Sequence, residues 1–353
     1  MSMTSTLRLA ACAGIVTGSA MLATSAAGKQ PACPAPDANG RVTFGDGSIL
    51  MKTGLEVNPD GAAASYTPGD HGYTYINNGV NLHIHGKKLG CSAQGNQSLC
   101  HTEWTKAEAG NFGPGTAEFC VYAMEVEPPA GGTKTACELP RKGRYFVGNG
   151  KGRPKAGEQV PTASGDMVAS YLSMTHLTHT VHGQVAYIDS AAIPGLVTPQ
   201  SNLVGALAWV RYGDHEVFAI VNDSGPAFGE GSVALHQQLR NGQVGSIQPI
   251  GPIPIDLRCS SVETGLKPPF VSRPDGGAND LCKAGHKAKT SSDIRAYQGI
   301  GSGVTSIILA SIKPPMSGTT VTEEVTLERL REWVTKAGFT PEKLHQMATC
   351  LAH

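Results

Sequence analysis

The chain has no excess of charge of either sign: 28 lysines and arginines stand against 28 aspartates and glutamates in 353 residues. Nothing global therefore steers it toward nucleic acid or an anionic membrane, and any polymer preference must come from a local patch. Aromatic residues are few, at 6%, and no recognisable nucleic-acid fold signature occurs. No Cys-x-x-Cys pair is present, which argues against a zinc site. A phosphate loop, a zinc-protease helix and a nucleophile elbow are missing too. The apolar stretch at residues 9–23 is too short for a convincing membrane span. These absences leave no cofactor and no metal to expect.

The same apolar stretch follows Arg8 and ends in Thr24-Ser25-Ala26-Ala27, small residues that suit signal peptidase, so residues 1–27 read as an export signal. Leu9-Ala10-Ala11-Cys12 also spells a lipoprotein box, but it precedes most of the apolar stretch, and cleavage near Ala27 is preferred. Nine cysteines are present. Removing Cys12 with the signal leaves Cys33, Cys91, Cys100, Cys120, Cys137, Cys259, Cys282 and Cys350, an even number in an exported chain, which points to disulfides. Neighbour pairs such as Cys91 with Cys100, Cys120 with Cys137 and Cys259 with Cys282 are compatible with the spacing, but the connectivity stays open. With 44 glycines and 23 prolines the chain is loop-rich without reaching the composition of a disordered one.

Residues 217–235, VFAIVNDSGPAFGEGSVAL, concentrate the chemistry-bearing residues. Residues 217–221 form a continuous apolar, β-branched run, the pattern of a strand buried on both faces. Asp223-Ser224-Gly225-Pro226 is turn chemistry and ends it. Ser232 is a good N-cap for a helix carrying Val233, Ala234, Leu235 and Leu239, closed by Asn241-Gly242. Asp223 then sits at a strand end and Glu230 at a helix start, across a glycine-flanked loop. Two carboxyls facing one cleft are what glycoside hydrolysis needs, one protonated to serve the leaving oxygen and one ionised to activate water or attack the sugar. An Asp at a strand end and a Glu near a helix start are also ordinary turn and cap residues.

The stretch resembles the signature of the glycoside hydrolase family 75 chitosanases and their bacterial relatives, a Gly-Asp-x-Gly-Pro turn followed by Gly-Glu-x-Ser and a helix. Here Asn222 stands where the family usually has glycine. Residues 57–82, VNPDGAAASYTPGDHGYTYINNGVNL, are similar to the family's front segment, and residues 185–199, VAYIDSAAIPGLVTP, to its Tyr-x-Asp-Ser-x-x-x-Pro segment. The resemblance implies that Asp223 and Glu230 are the essential acids. We assign Glu230 as proton donor and Asp223 as the base of an inverting displacement, with Asp189, Tyr187, Ser224, Asp70 and Tyr73 in substrate binding. It also implies a polysaccharide partner, chitosan first, handled by a secreted monomer. The alternatives are a peptidoglycan-directed hydrolase and a non-catalytic secreted glycan-binding or effector protein on the same scaffold.

Taken in order, residues 28–46 read as a flexible lead-in, 47–313 as the family 75-like catalytic domain and 314–353 as a C-terminal helical hairpin. Val80, Leu82 and Ile84 alternate with His83 and His85, which puts the two histidines on the opposite face of a strand. Residues 86–165 hold four cysteines and read as disulfide-pinned loops and short strands. Within them, residues 141–155 are basic and glycine-rich, a solvated surface or a contact for an anionic polymer. His176, His179 and His182 lie in a strand-like setting that would separate them rather than gather them on a metal. A hairpin is expected around Gly213-Asp214 and a buried strand at 304–312. Thr326 caps one helix with Leu327, Leu330, Val334 and Ala337 on a face, and Thr340-Pro341 starts another. The expected fold class is α+β and β-rich, a small barrel-like core with disulfide-pinned loops.

Overall fold

The computed structural model describes residues 33–63, 65–66, 79–91, 93, 95–122, 124–137, 144–161, 167–244, 271–272, 294–295 and 300–351. The expected export signal, Asp70, Tyr73, Cys259 and Cys282 lie outside the described residues.

Six strands close into a barrel. They are β1 (Ile49–Asn58), β2 (Gly195–Thr198), β3 (Leu207–Tyr212), β4 (His215–Ser224), β5 (Glu230–Ser232) and β6 (Ile300–Leu309). The order around the barrel is β1-β5-β2-β4-β3-β6, and β6 returns to β1, pairing Ile308 with Ile49 and Val304 with Thr53. Closure leaves none of the six as an unpaired edge. The β1–β5 and β2–β4 pairs are parallel and the others antiparallel. The expected hairpin is β3 and β4, joined through Gly213-Asp214, with Gly213 at positive φ. Leu50, Leu55, Leu207, Trp209, Ile220, Val221, Ile307 and Leu309, from the two faces of these strands, are buried in one apolar cluster. The apolar run of β4 is therefore buried as its sequence implies.

The barrel is only one of two apolar clusters. Residues between β1 and β2 build the second, around the sheet of Val80–Ile84, Lys87–Gly90, Glu118–Val121 and Tyr145–Val147 and the helix α1 (Gln97–Ala109). Trp104 of α1 meets Phe112, Phe119 and Tyr171 edge-on. Disulfides Cys91–Cys100 and Cys120–Cys137 pin this region. One expectation fails here: His85 is not on a strand face. The strand ends at Ile84, and His85 and Gly86, at φ 49 and 71, form the two-residue turn to the next strand. A two-residue turn between antiparallel strands favours positive φ at both positions, because that matches the strands' twist.

A helix α2 (Val233–Asn241) follows β5 directly, and α3 (Leu327–Lys336) and α4 (Pro341–Ala348) form the hairpin. Thr326 and Thr340 cap these last two through Arg329 N and Lys343 N. Their apolar faces are not a separate body: Leu330, Val334, Phe339 and Leu344 join the barrel's own cluster. Val325 N donates to the buried His179 Nδ1 at 3.0 Å, and His345 reaches Glu216 of β4 at 2.5 Å. The supposed lead-in is tied down from Cys33 onward. Cys33 is bonded to Cys350, Asp37 accepts the N–H groups of Asn39 and Arg41, and Val42–Thr43 pairs with β1. Among the described residues no helix is long and apolar enough to cross a membrane. Three disulfides are compatible with an oxidising compartment.

Candidate active site

The register of β4 against β2 slips by one residue where the acid sits. Leu196 is opposite Val221, but the next residue, Val197, is opposite Asp223, so Asn222 is the extra residue of a bulge. Bulges re-aim the side chains beside them. Asn222 itself is buried, and its amide lies over Gly195, where a Cβ would stand 2.4 Å from Oδ1. Residue 195 must be glycine for this packing. Asp223 is thereby turned to the barrel's end, where its Oδ1 accepts Ser224 N at 2.8 Å and His176 N at 3.1 Å.

Glu230 arrives from the other side on β5, not on a helix. Its strand runs parallel to β1, with Glu230 opposite Glu56 and Ser232 opposite Asn58. Ser232 then caps α2, accepting Leu235 N, and its hydroxyl also bridges Gly195 N and Ile193 O. This fixes the distance along the chain between β5 and the helix. A helix dipole favours an ionised acid only within its first turn, and Glu230 precedes the helix. Burial instead raises the Glu230 carboxyl above its ordinary value, the Asn58 hydrogen bond opposes this, and the nearby Asp223 charge adds to it.

Asn58, at the end of β1, joins the two acids. Its Nδ2 donates to Asp223 Oδ2 at 3.4 Å, and the same amide favours the anion of the adjacent Glu230. Its Oδ1 accepts Asp60 N at 2.8 Å, which orients the amide with its donors toward the carboxylates. A third acid, Asp60, stands two residues on. Burial, then the charges of Asp223 and Glu230, hold its carboxyl well above the usual range. Burial raises Asp223 as well, against the main-chain donors of Ser224 and His176 and the Asn58 amide, which lower it.

Two tyrosines border this group. Tyr66 is fully buried, and Tyr122 is exposed with its ring against Gly79 and the Arg144 guanidinium 5.2 Å from its centroid. Both phenols are raised first by burial and then by the Asp60 charge. Ser224 Oγ lies 2.9 Å from His176 Nδ1. Thus Asp223, Glu230 and Ser224 of the expected residues come together here.

Tyr187 and Asp189 do not join them through any described hydrogen bond. Asp189 Oδ1 accepts Ala191 N at 2.8 Å, and its carbonyl accepts Ala192 N and Ile193 N, so the side chain closes its own turn. Burial raises it, and the acid that adds to this is Glu158. Tyr187 is raised by burial and by Glu125. The neighbouring Ser190 does reach the site's framework, donating to Pro59 O at 2.7 Å.

The three histidines separate, though only His179 lies on a strand. His176 lies at the site, His179 in the interior, and His182 in a turn at φ 48. Among the described residues no group of three or more His, Cys, Asp or Glu is placed to hold a metal ion. In the basic stretch, Lys151 pairs with Glu118, Arg153 with Glu127 and Lys155 with Glu125. That pairing cancels much of the local positive field; Arg141 and Lys142 lie outside the described residues.

Asn58, Asp60, Tyr122 and His176 were not among the expected site residues. The first two had a usable signal, because Asn-Pro-Asp-Gly is a turn ending a strand-like run. Tyr122 and His176 had none at the level of spacing. The chain matches no protein-family model and no curated protein.

Proposed function

We propose that this protein is a secreted glycoside hydrolase that cleaves a β-linked amino-sugar polymer, chitosan first. The observation that carries the reading is the meeting of Asp223 and Glu230 at the Asn58 amide, whose Oδ1 also holds the main chain of a third acid, Asp60. Three carboxyls raised by burial, of which Asp223 has three donors that favour its anion, supply the acid and the base that such a cleavage needs. Asp223 is the base, since two main-chain N–H groups and an amide stabilise its ionised form.

A cluster of three acids favours a cationic glycan by complementarity. In the basic stretch Lys151, Arg153 and Lys155 are each paired with a glutamate, which weakens its pull on a polyanion. These two features rank chitosan above peptidoglycan. Three disulfides suit an exported enzyme.

The test is release of reducing ends from chitosan and, in parallel, from purified peptidoglycan. Cleavage of chitosan by the parent and a loss of at least ~100-fold in Asp223→Asn, the usual size of an acid–base contribution, is the expected outcome. Activity on neither polymer, or an undiminished Asp223→Asn, overturns the reading.

A further inference from the structure

The turn carrying Asp60 is held from several directions. Pro59 O accepts Ser65 Oγ at 2.6 Å, Ser190 Oγ at 2.7 Å and Ala62 N at 3.0 Å. Gly61 N donates to Ser173 Oγ at 2.8 Å, and Ser173 Oγ donates to Ser65 Oγ at 2.5 Å. All three serines are fully buried. Gly61, at φ 96, sits where a Cβ would come 2.0 Å from Ile188 O, so the turn also lies flat on the neighbouring chain. Segments more than a hundred residues away in sequence thus fix a turn whose one ionisable side chain is Asp60.

The three carboxyls differ in the donors that reach them. Asp223 accepts two main-chain N–H groups and the Asn58 amide. Glu230 has the Asn58 amide. Among the described residues no side-chain or main-chain donor is bonded to the Asp60 carboxyl. Each N–H donor favours the anion, so the ionised form is best stabilised at Asp223 and least at Asp60.

We propose that Asp60, rather than Glu230, is the proton donor of this site, with Asp223 as the base. This rests on the glycoside hydrolase reading above. Asp60 gives its proton to the glycosidic oxygen as the bond from that oxygen to C1 breaks, and the leaving sugar departs as an alcohol. A water forms the new bond to C1 and gives a proton to the Asp223 carboxylate. Asp60 is left ionised and Asp223 protonated, and return of that proton through solvent restores the starting state. Burial and the charges of Asp223 and Glu230 raise the Asp60 carboxyl in the direction this role requires.

Two measurements on the full chain test the assignment. In chitosan hydrolysis, Asp60→Asn is expected to lose at least ~100-fold in kcat with KM little changed. Glu230→Gln is expected to keep measurable turnover, with the basic limb of its pH profile moved to lower pH because the charge that raises Asp60 is gone. A near-parental Asp60→Asn, or a Glu230→Gln that abolishes the basic limb, overturns the assignment. The second measurement needs no substrate. As pH rises above the ordinary carboxyl range, the infrared band of a protonated carboxyl should persist in the parent, lose one carboxyl's intensity in Asp60→Asn, and titrate away at lower pH in Glu230→Gln. A band lost in Glu230→Gln and kept in Asp60→Asn overturns the assignment whatever the parent's activity. If the band behaves as expected but no glycan is cleaved, the hydrolase reading fails and the donor role with it, while the proton is still located on Asp60.

Discussion

Asn58 is a neutral side chain among three acids, and its effect is to make one of them a better anion. Removing it in Asn58→Ala takes a charge-assisted hydrogen bond from Asp223, an interaction worth about 1.5–3 kcal/mol. The Asp223 base must be ionised to act, and its carboxyl, already raised by burial, rises further without the amide. The acidic limb of the pH–rate profile should therefore move to higher pH, with roughly 10- to 100-fold loss of turnover at the parent's acidic edge. A profile that superimposes on the parent's would show that the amide does not act on Asp223. A second outcome concerns stability. A carboxyl whose folded pKa is raised binds its proton more tightly in the native state, so the stability it contributes is present below the unfolded pKa and lost as pH rises through the folded one. Asp60→Asn removes that loss. The variant should be more stable than the parent to urea at pH 7 and indistinguishable from it near pH 4, about the ordinary carboxyl value. Asp223 and Glu230 were legible because the glycine-flanked turn between them is a local feature. Asp60 was harder to single out, because its environment is built by Ser65, Ser173 and Ser190, whose convergence depends on tertiary structure.

At the level of elements, period and caps carried the expectation where an element packs on its own pattern. The apolar run of β4, the Ser232 cap of α2 and the Thr326 and Thr340 caps of the hairpin are all where the residues imply. Glu230 precedes the Ser232 cap as expected, but the strand β5 that carries it was not anticipated, because it is three residues long and borrows its stability from β1 and β2. Such a strand has no periodicity to detect. Helix α1 was missed for a related reason: its buried residues, Cys100, Trp104 and Ala107, do fall at helical spacing, but polar neighbours dilute the pattern. The hairpin's packing leads to a direct test. Truncation after Met316 would expose the barrel surface now covered by Leu330, Val334, Phe339 and Leu344, and the product should be insoluble or unfolded. Leu344→Ala, a milder probe, should cost about 2–5 kcal/mol in denaturant unfolding. A soluble, cooperatively folding truncation would make the hairpin an appendage after all.

Across the whole molecule, the three disulfides act over different spans. Cys91–Cys100 joins residues 9 apart, and Cys33–Cys350 joins residues 317 apart. Loop-closure entropy assigns roughly 2–3 kcal/mol to the first and roughly 6 kcal/mol to the second. Cys33→Ser with Cys350→Ser should therefore lower the unfolding free energy more than Cys91→Ser with Cys100→Ser, as read from chemical denaturation. Equal losses would argue that local strain or residual structure dominates. Correctly folded protein should also yield none of these six cysteines to alkylation before reduction.

The long disulfide also makes the described chain a covalent ring from Cys33 to Cys350. A protease that nicks the ring once opens it without releasing a fragment, so the cut protein keeps its parental size on a non-reducing gel and separates into pieces only after reduction. Force applied at residues 33 and 350 would likewise pass through the sulfur bridge and leave the barrel unloaded. New termini placed in an exposed loop, with Cys33 and Cys350 joined by a short peptide in place of the bridge, should give a protein that folds as the parent does.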